Sequence, residues 1–185
     1  TPLMVASLQG YKDIVCLLLH NGADINLRSR ILLSALVMAS LTGHVEIVGL
    51  LLEHRADINL WDEENGSALQ VTSWRGHTEI VRILLENGAD PNLQTGYSAG
   101  SALTAASGEG HLQIMHLLLK NSADVNQPGG EYGSALSAAS AGGHIEIVRL
   151  LLANGADIAT QSGRALEVAG KHRNVIVALF QEAGA

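Results

Sequence analysis

A period of 33 residues runs through this chain, and it restricts the fold more tightly than any single motif. Gly-Ala-Asp, or a near copy, ends at Asp24, Asp57, Asp90, Asp124 and Asp157, so successive copies lie 33, 33, 34 and 33 residues apart. A corner dipeptide keeps the same spacing: Gly10-Tyr11, Gly43-His44, Gly76-His77, Gly110-His111 and Gly143-His144. So does an opening phrase, Thr1-Pro2-Leu3 followed by Ser-Ala-Leu at 34–36, 67–69, 101–103 and 134–136. Three agreeing registers at this period mark one supersecondary unit stacked several times.

The copy from Ser134 to Asp157 is the most regular. Ser134 stands where a hydroxyl can cap a helix, and Leu136 and Ala139 share one face of about two turns. Gly142-Gly143 ends that helix. A second starts near His144, with Ile147, Val148, Leu151 and Leu152 as its apolar stripe and Glu146, Arg149 and Ala153 outside it. Asn154-Gly155 closes it in the manner of a left-handed C-cap. Neither helix reaches the ~12–15 residues at which an isolated helix becomes marginal in water. Stability must therefore come from stacking, the logic of a solenoid.

Composition suits that reading. Apolar residues make up 47% of the 185 but aromatics only 3%, so close packing through Ala, Leu and Gly is expected. The net charge is −7, and no Lys/Arg stripe is present, which argues against a nucleic-acid partner. The single Cys16 excludes an internal disulfide and fits a reducing, intracellular compartment, cytoplasmic or nuclear. No apolar run approaches the ~20 residues that span a bilayer, so no membrane role is expected. Thr1 opens the sequence in mid-motif, and a segment of a longer, monomeric protein is expected.

The phrases resemble the ankyrin repeat family. Its first-helix pattern T-P-L-H-x-A-A is matched by TPLMVAS, SALVMAS, SALQVTS, SALTAAS and SALSAAS. Its second, G-H-x-E-I-V-x-L-L-L-x-x-G-A-D-x-N, is nearly intact at 43–59, 76–92, 110–126 and 143–157. The resemblance implies an all-α ankyrin-repeat solenoid of about six helix-turn-helix units. β-hairpin finger loops would follow Asn26, Asn59, Asn92 and Asn126. Repeat boundaries fall at about 1–33, 34–66, 67–100, 101–133 and 134–163, with a degenerate, capping unit at 164–185. There the linker Thr160–Gly163 looks about three residues short, and Val175, Ile176, Leu179 and Phe180 lie on one helical face. The family's tetrapeptide His is absent, its place taken by Met4, Val37, Gln70, Thr104 and Ser137, so its hydrogen bonds need another source. The Gly-Ser-Ala-Leu and Gly-Gly-Glu-Tyr-Gly phrasing is similar to long ankyrin arrays of filamentous fungi, which are often joined to nucleotide-binding signalling domains.

No residue set points to catalysis. His44, His77, His111 and His144 recur a repeat apart, too far to converge on one ion, and a turn-bonding role is expected of them. Gly170-Lys171-His172 lacks the upstream glycine and hydroxyl of a phosphate loop, and Gly108-Glu109-Gly110 lacks the third glycine of a dinucleotide fingerprint. Gly129–Gly133 reads as an interhelical turn. Asn65-Gly66-Ser67 forms a sequon but reads as a turn as well, and Cys16 as a partly exposed bystander. No metal or cofactor is implied.

Binding residues are sought where the copies differ. By the resemblance, finger tips and the two residues before each Gly-His corner face a concave groove. The corner pairs are Leu8-Gln9, Leu41-Thr42, Trp74-Arg75, Gly108-Glu109 and Ala141-Gly142. Finger residues include Arg28 and Arg30, then Trp61, Asp62, Glu63 and Glu64, then Gln94 and Tyr97, then Glu131 and Tyr132. Trp, Tyr and Arg dominate binding hot spots, and this chain has only two Trp and three Tyr. The partner-binding set is therefore Trp61, Asp62, Glu63, Glu64, Trp74, Arg75, Tyr97, Glu131 and Tyr132. The competing reading packs Trp74 on its neighbouring helix and Trp61 on its own finger. The acidic finger could equally pair with Arg28 and Arg30, and Ile31-Leu32-Leu33 is either a hydrophobic contact or a folded-back finger. The expected function is a non-catalytic interaction module for a protein or peptide. A regulatory segment of a larger nucleotide-binding protein or enzyme, and a plain architectural spacer, are the alternatives.

Overall fold

The computed structural model describes residues 1–27, 34–62, 66–95 and 100–184. Arg28, Arg30, the Ile31-Leu32-Leu33 stretch, Glu63, Glu64, Asn65 and Tyr97 lie outside them, as does the Asp62 side chain.

Five repeats each give a helix pair: α1 (Pro2–Gln9) and α2 (Lys12–His20), α3 (Ala35–Leu41) and α4 (Val45–Glu53), then the two-residue strands β1 (Trp61–Asp62) and β2 (Gly66–Ser67) before α5 (Ala68–Arg75) and α6 (Thr78–Glu86). There follow α7 (Ala102–Glu109) and α8 (Leu112–Lys120), α9 (Ala135–Gly142) and α10 (Ile145–Ala153), and a last pair, α11 (Ile158–Val168) and α12 (Arg173–Ala183), joined by a 3₁₀ turn at Gly170–His172. The first helices of the pairs pack on one another in one row and the second helices in another. The first row is knit more closely because it meets through Ala, Ser and Gly.

The caps follow the sequence. Ser34, Ser67, Ser101 and Ser134 accept the N–H three residues on, at 3.2, 3.3, 3.1 and 3.1 Å. The stripe of each second helix is buried between rows: Ile80, Val81 and Leu84 are wholly so, as are Ile114, Met115 and Leu118. At the repeat ends the chain turns left-handed; Gly22, Gly88 and Gly155 do this freely, but Arg55 (φ 64°) and Ser122 (φ 65°) do it with a Cβ. That conformation costs a non-glycine residue roughly 1–2 kcal/mol.

Two ladders stitch repeat to repeat. Asn26, Asn59, Asn92 and Asn126 each present Oδ1 to the backbone N–H of Asp57, Asp90, Asp124 and Asp157, at 2.7, 2.9, 2.7 and 2.8 Å. The second ladder is the histidine column at the corners. Nε2 of His44, His77, His111 and His144 donates to the carbonyls of Leu8, Leu41, Trp74 and Gly108 in the preceding repeat, at 3.2, 3.3, 3.1 and 2.9 Å. A carbonyl only accepts, so each ring carries its proton on Nε2. The expected turn-bonding role is thus an inter-repeat one. Each ring also sits on the preceding corner glycine, where a Cβ at Gly110 would lie 2.5 Å from His144 Cε1. His172 covers Gly143 the same way, continuing the column into the last pair.

The missing tetrapeptide His has a substitute in the third repeat. Buried Gln70 accepts the Ser67 N–H at 2.7 Å and the Thr95 hydroxyl at 2.7 Å, and its amide donates to the carbonyls of Leu93 (3.1 Å) and Gly100. Fingers form as expected after Asn59, where Trp61 pairs with Ser67, and after Asn92, where Thr95 bridges Gly100. After Asn126 the finger is a turn instead, closed by Gly129 N–H to Gly133 and Gly133 N–H to Gly130.

Two expectations for the last unit are corrected. Thr160–Gly163 is not a short linker but the first half of α11. Earlier copies place Asn two residues after Asp; here Ala159 stands there, so nothing reaches on to a next repeat. Asp157 instead caps a helix, accepting N–H of Ala159 (2.9 Å) and Thr160 (3.4 Å) and the Thr160 hydroxyl (2.7 Å). The Thr160 hydroxyl, helped by those amides, holds the Asp157 carboxyl below its ordinary value of 3.8. The resulting stabilisation is present above that ordinary value and lost as pH falls through the lowered one. On α12, Ile176, Leu179 and Phe180 are buried against the stack, but Val175 points outward.

Candidate protein-interaction surface

The histidine column has a consequence for its neighbours. It clamps the main-chain carbonyl of the first residue in four of the five corner pairs (Leu8, Leu41, Trp74, Gly108), and a carbonyl is common to every residue type. The backbone of the row is therefore fixed while its side chains are free to differ. They do differ. Leu8, Leu41 and Ala141 are half-buried aliphatics, and Gly108 is bare backbone. Gly142 is tightly confined, since a Cβ there would lie 2.8 Å from the Gly108 carbonyl oxygen.

Trp74 rises from the middle of this row. It is 44% exposed, so more than half of it is covered while part of the ring remains open. Its indole Nε1–H donates to Glu109 Oε1 at 2.9 Å, across to the next repeat. Arg75 stacks over the same ring, its guanidinium carbon 4.3 Å from the ring centroid. Such a stack at an exposed site is worth about 0.5–1 kcal/mol. Trp74 is thus held at its edge by Glu109, over its face by Arg75, and at its carbonyl by His111. A large side chain held in one rotamer loses little further entropy when a partner covers it.

The other expected residues fall on the fingers. Trp61 is half-buried on β1, where its pairing with Ser67 ties it to the start of α5. Glu131 is exposed and Tyr132 half-buried in the following glycine-rich turn, which Gln94 holds by an amide bond to the Pro128 carbonyl at 2.8 Å. No hydrogen bond or ion pair among the described residues joins Trp61, Glu131 or Tyr132 to Trp74. Asp62 pairs through its backbone with Gly66. Glu109 is the residue that sequence reasoning placed in the row but left out of the binding set; its signal was its place one repeat beyond Trp74-Arg75.

No group of three or more metal-ligating side chains converges among the described residues. No helix there is long and apolar enough to cross a membrane.

A family model of ankyrin repeats, in three copies, matches residues 3–95 and again 96–184. The chain belongs to the ankyrin-repeat family. Among solved structures, it is similar to the ankyrin repeat domain of human ASB11, with a TM-score of 0.84 and 28% identity over 100% of this chain and 84% of that one. No curated protein sequence matches it. Ankyrin repeats are in general protein–protein interaction modules and are typically non-catalytic. The all-α solenoid that the family resemblance implied is the fold observed.

Proposed function

We propose that this ankyrin stack is a non-catalytic interaction module whose corner-pair groove receives a protein or peptide, with Trp74 and Arg75 as the central contact. The observation that carries the reading is an exposed tryptophan held by Glu109, Arg75 and His111, where the equivalent residues Leu8, Leu41, Gly108 and Ala141 are half-buried. Trp61, Glu131 and Tyr132 flank it as finger contacts, and Asp62, Glu63, Glu64 and Tyr97 complete the proposed rim. Six units are part of this reading, but α11 runs from Ile158 to Val168 across the expected boundary at 163/164, so the last unit begins at α11, and with α12 it closes the stack through Ile176, Leu179 and Phe180. The partner is on another protein or elsewhere on a longer chain, and the surface serves either.

Affinity capture from lysate of the source cell, run with the wild type beside a Trp61/Trp74 double alanine variant of matching fold by circular dichroism, tests the reading. Bands held by the wild type and lost by the variant are expected. An identical set of bands from both would remove these residues from the site.

A further inference from the structure

We propose that the groove is built for a peptide segment with a single carboxylate at its centre, an internal stretch that sets a bulky apolar side chain on Trp74 and an adjoining Asp or Glu carboxylate on Arg75. This rests on the interaction reading above and adds the partner's chemistry.

An indole has one donor and no acceptor, and the Nε1–H of Trp74 is spent on Glu109. What Trp74 still offers is apolar ring surface. Arg75 is the opposite case. Its guanidinium carries five N–H donors, lies exposed over the ring, and meets no carboxylate among the described residues. Lys12, Arg82, Arg149 and Arg164 meet carboxylates among the described residues, whereas Arg75, like Arg55, Lys120, Lys171 and Arg173, does not; what sets Arg75 apart is its place on an inner helix over Trp74.

The rest of the row makes Arg75 selective. Helices α1, α3, α7 and α9 carry no Lys or Arg, so Arg75 is the one cation on the described inner helices of the five repeats. A single cation suits one carboxylate and is too little for a phosphate-rich polymer. Guanidinium and carboxylate match in geometry through paired N–H···O bonds, and the ring beneath Arg75 holds the fork in place. Glu109 is already engaged at the indole edge. Its charge repels an incoming acid on that side, so the carboxylate enters on the Arg75 side. Beyond it the segment lies over Gly108, Ala141 and Gly142, whose small size lets a backbone approach closely. Leu8 and Leu41 continue the row in the other direction, which favours an internal segment over a chain terminus.

Short random peptides displayed on phage, selected on the immobilised chain and then measured one by one, test this. The expected selections join Asp or Glu to Leu, Ile, Phe or Trp. Trp74→Ala and Arg75→Ala should each weaken those peptides by roughly tenfold or more, in line with truncation of a binding hot spot. Selection on Arg75→Glu should replace the acid with Lys or Arg. Trp74-dependent peptides without Asp or Glu on wild type would overturn the carboxylate-bearing partner and leave the interaction reading standing. Peptides bound equally well by Trp74→Ala, or no binders at all, would overturn both.

Discussion

The histidine column and the corner-pair row run side by side through the same stack, two or three residues apart in sequence, and differ in kind. In the column, each member makes the same contact with the preceding repeat, and a substitution is felt by two repeats at once. In the row, the histidines engage the backbone carbonyls of Leu8, Leu41, Trp74 and Gly108 and not their side chains, so residues as different as these coexist in equivalent places. The column makes the stack, and by fixing the main chain it frees the row to recognise something. Stability and recognition are separable here at the level of neighbouring residues.

That separation can be broken or sharpened by substitution. The largest effect is expected at the column's seat. Gly110→Ala puts a Cβ on a left-handed residue (φ 81°) and drives it into His144. Strain and the displaced imidazole together should cost about 3 kcal/mol, a fall in melting temperature of roughly 6–12 °C. Removing the ring itself, in His144→Ala, leaves the Gly108 carbonyl half-covered and without its donor, at about 1–2 kcal/mol by thermal melting. A result near zero would mean the column is ornamental. Relief of strain is smaller and of opposite sign: Arg55→Gly should raise stability by about 0.5–1 kcal/mol in urea titration, since Gly takes φ 64° at little cost but widens the unfolded ensemble. Smallest on the stability scale is the row. Arg75→Ala should lower the melting temperature by only about 1–4 °C, because its stack on Trp74 is exposed and worth about 0.5–1 kcal/mol.

Much of this was legible in the sequence, and the misses have physical causes. The period gave the helix pairs, the Ser caps and the buried stripes because those are local patterns repeated five times. The histidines were recognisable as structural, but their acceptors were not, since a bond from His144 to Gly108 depends on how one repeat lies on the last. Gln70 in place of the family's His raised a question that only tertiary contacts answered, through Thr95, Leu93 and Gly100. Thr160–Gly163 misled because Thr, Ser and Gly are weak helix formers, yet the Asp157 cap and the burial of Ala165 outweigh propensity. In the site, Trp74 and Arg75 stood out by rarity, whereas the role of Glu109 required knowing that an indole edge faces the next repeat.

The central claim is that Trp74 and Arg75 carry binding while the histidine column carries the fold. It is tested most directly by measuring, on one Trp74-dependent peptide, both affinity and melting temperature for Trp74→Ala and His144→Ala. The account predicts that Trp74→Ala loses at least tenfold in affinity with a stability change under about 1 kcal/mol, and that His144→Ala loses more stability than this while binding with near wild-type affinity. A Trp74→Ala variant that melts as early as His144→Ala and still binds would contradict it.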